Sequence, residues 1–174
     1  MRAKGNSAYE SMIRKTAIPA AERTPQAQLS EAGMHAIVGY QLAQAAIVTN
    51  QVFDERVGRD GELRRVEFTI LALVQGNPDV TARQLARALD VTPPNIATWI
   101  DRLESRGLVS RTRSDSDARM QHIRISRAGA ALVERSIRLL QEGEQAALAG
   151  LSAAERAMLV ELLHKVALSR RRAE

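Results

Sequence analysis

The 174-residue sequence has no cysteine, so disulfides, thiolate metal sites and thiol-based redox sensing are excluded by chemistry. Aromatic side chains make up only 3% of the chain. That scarcity argues against readers of RNA or single-stranded DNA, which stack bases on aromatic platforms. No apolar run reaches the roughly 18 residues that would signal a membrane span, and residues 1–19 lack the continuous apolar core of a secretory signal. The expectation is a cytoplasmic protein with no membrane partner. The histidines, His35, His122 and His164, are too scattered to suggest a metal site by spacing, and neither metal nor cofactor is expected. No nucleophile-and-base set and no glycine-rich phosphate loop occurs, so no catalytic residue is assigned and an enzyme is not expected.

What is present is a hydrophobic fraction of 45% built on Ala, Leu, Ile and Val. The length suits one domain, or a small domain with appended helices. A net charge of +5 and a pI near 10.4 fit a polyanionic partner.

Along the chain, residues 1–28 mix Gly5, Asn6, Ser7, Pro19 and Pro25 with scattered charges such as Arg2, Lys4, Arg14 and Lys15, and read as a flexible arm. Over 30–56, Val38, Leu42, Ala45, Val48 and Val52 recur every three or four residues, the period of one long amphipathic helix. The Gly58-Arg59-Asp60-Gly61 cluster breaks it, and Val66, Ile70, Leu71 and Val74 define a second helix ending at Gly76-Asn77-Pro78. Thr81 with Gln84 forms a capping-box pattern opening a short helix over 82–89. Thr92 can cap the next helix, with Pro93 at a first position that needs no N–H. That helix buries Ile96, Trp99, Ile100 and Leu103 and stops at Gly107, a natural C-terminal cap. The period then changes toward two: residues 108–111 and 121–125 form a small hairpin around a polar loop over 114–119, with Ile123 and Ile125 facing in and His122 and Arg124 out. Ser126 caps a helix over 127–148, Gly150 interrupts it, and Ser152 with Glu155 opens a last helix.

Two short helices joined by a tight turn, the second followed at once by a charged hairpin, give the order of a winged helix-turn-helix. The second helix of such a motif lies in the major groove of double-stranded DNA and meets base edges with its exposed N-terminal residues. Here the apolar face leaves Thr92, Pro94, Asn95, Thr98, Asp101 and Arg102 outward. Asn pairs bidentately with adenine, Thr bonds a base and touches a thymine methyl, and Arg reaches guanine or phosphate. Arg111, Arg113, Arg119 and Arg124 surround the hairpin loop, and an Arg at its tip suits a narrow minor groove. Asp117 is read as orienting a neighbouring Arg. Arg83 and Arg87, on the first helix of the motif, are placed to contact phosphates.

These residues carry a resemblance. The runs Thr81-Ala-Arg-Gln-Leu-Ala-Arg-Ala-Leu89, Thr92-Pro-Pro-Asn-Ile96, Ile100-Asp-Arg-Leu-Glu-Ser-Arg-Gly-Leu-Val109, Asp117-Ala-Arg119 and Ile125-Ser-Arg-Ala-Gly129 resemble MarR-family regulators in order and spacing, from residue 31 onward. Ala118 departs from the Asp-Arg-Arg that the family usually carries at the wing. The resemblance implies a mainly α fold, a winged helix-turn-helix with long N- and C-terminal dimerisation helices and a small β-hairpin wing. It implies a homodimer reading a pseudo-palindrome, and a small-molecule effector, often an aromatic or phenolic carboxylate, that releases DNA. In that frame the chain divides into an arm (1–28), an N-terminal dimerisation helix (29–62), the DNA-binding domain (63–127) and C-terminal dimerisation helices (128–174). The long terminal helices also carry more apolar surface than one small winged domain covers. His35, Tyr40 and Asn50 fall where the family's effector pocket lies, and Arg64, with Arg65, is a candidate for an anionic ligand. A non-specific architectural DNA-binding protein, drawing on the same charge, is the alternative.

Overall fold

The computed structural model describes residues 22–59, 63–113 and 121–170. They form helices α1 (Val38–Arg56), α2 (Arg65–Gly76), α3 (Ala82–Leu89), α4 (Pro93–Ser105), α5 (Arg127–Ala147) and α6 (Ala153–Leu168), with strands β1 (Val80–Thr81), β2 (Val109–Arg113) and β3 (Gln121–Ile125). The fold is mainly helical with a small antiparallel sheet, as expected. The chain divides into two compact units, residues 1–47 and 48–174.

In the first unit the backbone departs from the helix expected from residue 30. Arg23 and Ser30 pair as an isolated antiparallel bridge, Ala32–Met34 is a single 3₁₀ turn, and α1 begins only at Val38. The cause is local. The Ser30 hydroxyl accepts the Ala32 N–H at 3.2 Å, and Ala32 sits at φ 46°; a serine that bonds its neighbouring backbone competes with helix formation.

In the second unit the expected capping devices form. Thr81 and Gln84 bond reciprocally at the start of α3, Ser126 accepts the Gly129 N–H at 3.0 Å at the start of α5, and Ser152 pairs with Glu155 at the start of α6. Thr92 is the exception, because its side chain makes no cap bond and only its carbonyl accepts from Asn95 and Ile96. Gly107 ends α4 at φ 68°, where its N–H reaches Glu104 O and the Leu108 N–H reaches Leu103 O. These paired bonds satisfy the last helical carbonyls, and the left-handed backbone suits a residue without Cβ.

The core is one cluster. Leu63, Ile70, Leu71, Leu85, Ile96, Ile100, Leu103, Ile123 and Val133 are essentially inaccessible to solvent, and Trp99 packs against them half-buried, in keeping with its place in the apolar set. The sheet order is β1-β3-β2, with Val80 opposite Ile123 and Val109 opposite Ile125. Strand β1 was not expected; two residues are too few to display a period. Close approach fixes α5 at two glycines. A Cβ at Gly129 would lie 2.2 Å from the Leu108 carbonyl oxygen, and one at Gly143 would lie 2.6 Å from Val52 Cγ1 on α1.

The terminal helices remain largely uncovered. On α1, of the expected apolar stripe only Val52 is buried, while Val38, Leu42, Ala45 and Val48 are exposed. Helix α6 buries no residue, and its Met158, Leu159, Leu162, Leu163 and Val166 face solvent.

Candidate nucleic-acid interface

Helices α3 and α4 are joined by Asp90, Val91 and Thr92 alone. Asp90 takes the left-handed conformation, φ 55° and ψ 47°, and its N–H closes on the last carbonyls of α3. Asp tolerates that conformation better than most residues. The turn sets α4 against α3 so that Ile96, Ile100 and Leu103 are fully buried. The opposite face of α4 presents Thr92, Pro94, Asn95, Thr98 and Arg102, all exposed. Thr98 donates its hydroxyl proton to the Pro94 carbonyl at 3.0 Å, which leaves its methyl and oxygen lone pairs outward. Asn95 is exposed on the first turn of this helix, the part that in DNA-bound helix-turn-helix proteins reaches base edges.

Arg83 and Arg87 are exposed on α3, and Arg113 is exposed at the end of β2. Arg119, Asp117 and Ala118, with the rest of the wing loop 114–120, lie outside the described residues. Two arginines of the hairpin are held by carboxylates of the chain itself. Arg111 is paired through its guanidinium with both Asp101 and Glu104 of α4, and its backbone N–H donates to Glu104 at 3.0 Å. The Asp101 hydrogen bond, with support from Glu104, pushes the Arg111 pKa further up. Arg124 pairs with Asp79 and donates to the Thr112 hydroxyl at 3.2 Å. The first pair braces β2 to α4, and the second ties β3 to the turn before β1. Asp101 thus has a physical role that outward placement alone did not reveal: it holds a cation from the neighbouring strand.

The expected ligand residues fall on both units. In the first, Glu31 is almost fully buried and accepts from His35 Nδ1 at 2.6 Å and from the Tyr40 hydroxyl at 3.1 Å. His35, then Tyr40, hold the Glu31 carboxyl below its ordinary range. Burial and the same carboxylate raise the Tyr40 phenol. His35 and Tyr40 therefore already direct polar atoms at a protein partner that sequence reasoning missed. In the second unit, the Asn50 carbonyl accepts from Arg65 at 3.5 Å, and Arg65 also pairs with Asp54 at 3.1 Å. Arg64 is exposed. Phe53, Asp54, Gly58, Leu63, Arg64, Arg65 and Val66 line a cleft of about 460 Å³. Among the described residues no cluster of His, Asp or Glu could hold a metal ion, and no helix is long and apolar enough to cross a membrane.

Two short helices joined by a tight turn, an exposed polar face on the second and a three-stranded antiparallel sheet define a winged helix-turn-helix. Residues 63–120 match the model of the MarR family. Among solved structures, the transcriptional repressor CouR bound to a 23-mer DNA duplex is 28% identical, with a TM-score of 0.72 over 80% of this chain and 98% of that one. A probable transcriptional regulator from Pseudomonas aeruginosa is 27% identical, with a TM-score of 0.67 over 76% of this chain and 98% of that chain. A mutant MarR from E. coli complexed with operator DNA is 26% identical, with a TM-score of 0.65 over 74% and 91%. The resemblance read from the sequence is thus met by the MarR-family model over residues 63–120, and the fold is similar to that of these transcriptional regulators.

Proposed function

We propose that the protein is a homodimeric, cytoplasmic repressor that binds a pseudo-palindromic operator and is released by a small aromatic or phenolic acid. The observation that carries the reading is the row Thr92, Pro94, Asn95, Thr98 and Arg102, exposed on a helix whose other face is locked into the core. A helix so oriented offers groups that discriminate bases in the major groove, with Asn95 assigned to adenine and Arg102 to guanine or phosphate. Arg83, Arg113 and Arg119 are assigned to the backbone and the minor groove beside it. Arg111 serves the same surface indirectly, by holding β2 against α4. The DNA-bound CouR and E. coli MarR support this docking.

Dimerisation is supported by α6, none of whose apolar residues is buried among the described residues. Exposed leucine, methionine and valine on one helix form a patch that soluble monomers rarely retain, and a two-fold partner supplies the same surface in return. The division into arm, N-terminal dimerisation helix (29–62), DNA-binding domain (63–127) and C-terminal dimerisation helices (128–174) follows the same reading. The effector is assigned to the cleft of about 460 Å³ beside α1 and α2, a size that suits a small ligand. Phe53, Leu63 and Val66 offer an apolar wall to a ring, and Arg64 offers a cation to its carboxylate. Asn50, in the same unit, joins the proposed set, and His35 and Tyr40 are kept as candidate ligand contacts on the first unit by itself. An effector that binds better to one spacing of the recognition helices shifts the dimer away from the spacing the operator requires.

The test is binding of the purified protein to fragments of its own promoter region against random duplex at two salt concentrations. A preference of about a thousandfold or more supports a specific regulator. Equal, salt-sensitive binding to every fragment contradicts it and leaves the architectural alternative.

A further inference from the structure

Glu67 lies in the first turn of α2, and it is only 4% exposed. A carboxylate at that depth requires partners, because water no longer solvates its charge. It has two on the same oxygen: Glu67 Oε2 accepts the Arg64 backbone N–H at 3.0 Å and faces Arg106 Nη1 at 3.5 Å. The two donors belong to different parts of the molecule. Arg64 lies in the Leu63–Val66 wall of the cleft assigned to the effector, whereas Arg106 is the C-cap of α4, the recognition helix.

We infer that Glu67 is a positioning residue that couples the cleft wall to the C-terminal end of the recognition helix. The inference deepens the proposed function and rests on the effector cleft named there. Its physics is that of a shared acceptor. The Arg64 N–H has no helical acceptor at the start of α2, so its orientation follows the Glu67 carboxylate. The carboxylate in turn cannot swing away from the guanidinium without leaving a buried charge less compensated. A ligand that displaces the Arg64 peptide therefore moves Glu67 off Arg106, and a change at the end of α4 on docking to DNA is felt at Arg64. Arg106 sits one residue before Gly107, where α4 turns into β2, so the coupling acts where the recognition helix joins the wing. Arg111 holds the same helix through Asp101 and Glu104, a separate pair of carboxylates, and provides a control.

The experiment is residue-resolved amide hydrogen exchange on the full-length protein, comparing wild type with Arg106→Gln, Glu67→Gln and Arg111→Gln. Arg106 is partly exposed, so its substitution does not depend on a core position being tolerated. In Arg106→Gln the Arg64 amide is expected to exchange at least about tenfold faster, while the amide of Ile70, in the middle of α2, keeps its wild-type rate. Arg111→Gln leaves the Arg64 amide unchanged. Adding promoter-region duplex increases protection at Arg64 in the wild type and not in Arg106→Gln or Glu67→Gln. Wild-type protection of Arg64 in Arg106→Gln overturns the inference, as does bound DNA that leaves wild-type Arg64 unchanged. A protein that selects no DNA sequence refutes the proposed function instead, and the DNA-free comparison still decides the contact.

Discussion

Gly129 in the Ile125-Ser-Arg-Ala-Gly129 run has a structural reason that gives a quantitative test. Its substitution by alanine would place a Cβ 2.2 Å from the Leu108 carbonyl oxygen and 2.9 Å from Ile125 Cγ1. Reaching even 3.0 Å from that oxygen, the lower limit of real contacts, requires a separation larger by about 0.8 Å, and a close-packed interior resists such a shift. The same oxygen accepts the Ser126 N–H at 3.0 Å, and the Ser126 hydroxyl accepts the Gly129 N–H at 3.0 Å. Moving the first turn of α5 therefore strains packing, a backbone hydrogen bond and a cap together. Overpacking of this kind costs about 1–3 kcal/mol, and weakening the hydrogen bond adds about 1 kcal/mol. Replacing a glycine in the first turn by alanine returns at most about 0.5–1 kcal/mol, the mid-helix value. The expected net loss is about 2 kcal/mol. Urea denaturation at one fixed protomer concentration measures it, because an associating protein's midpoint depends on concentration. Gly76→Ala is the control, since a Cβ there meets nothing within 4 Å, and it should be neutral or slightly stabilising. A Gly129→Ala protein as stable as wild type would refute the close-approach reasoning.

The paired and exposed arginines separate by salt dependence. Arg83→Gln should weaken DNA binding and lower the slope of log affinity against log salt by about 0.9. Arg111→Gln should weaken binding at nearly constant slope, because its guanidinium is held by Asp101 and Glu104; a full unit of lost slope contradicts that role. Leu159→Glu, on the uncovered face of α6, should weaken the dimer by about tenfold or more, read by sedimentation equilibrium, and an unchanged dimer places the interface elsewhere. For pH, the Ser152 hydrogen bonds lower the Glu155 pKa in the folded chain. Its contribution is complete above the ordinary glutamate pKa and disappears as pH falls through the lowered value. The stability difference between wild type and Glu155→Gln should thus be largest near neutrality and close in acid, and a difference that widens in acid has the wrong sign.

The elements legible in the sequence are those whose signal is local and repeated. The capping boxes at Thr81 and Ser152, the C-terminal glycine at 107 and the apolar set at 96, 99, 100 and 103 each follow from chemistry within a few residues, and each forms. Boundaries failed where a short-range hydrogen bond competed with periodicity, as at Ser30, whose hydroxyl helps delay α1 to Val38. Strand β1 was hidden because its pairing partners, Ile123 and His122, lie far along the chain. The same distance conceals the charge pairs. Spacing marks Arg111 and Arg124 as cations of the wing, but only the folded chain brings Asp101, Glu104 and Asp79 to them. Buried Glu67 and Glu31 had no signal of their own, since an acid in an amphipathic stretch reads as a solvated position until its donors are known.

The central claim is that the exposed face of α4 reads bases. Affinity of wild type and Asn95→Ala for the promoter-derived site and for a set of single-base variants, at one salt concentration, tests it most directly. The account predicts that wild type loses about 1–3 kcal/mol at one A·T pair in each half-site and that Asn95→Ala no longer discriminates there while its nonspecific binding is kept. An Asn95→Ala protein with the full wild-type pattern of base preference would contradict the assignment of α4 as the recognition helix.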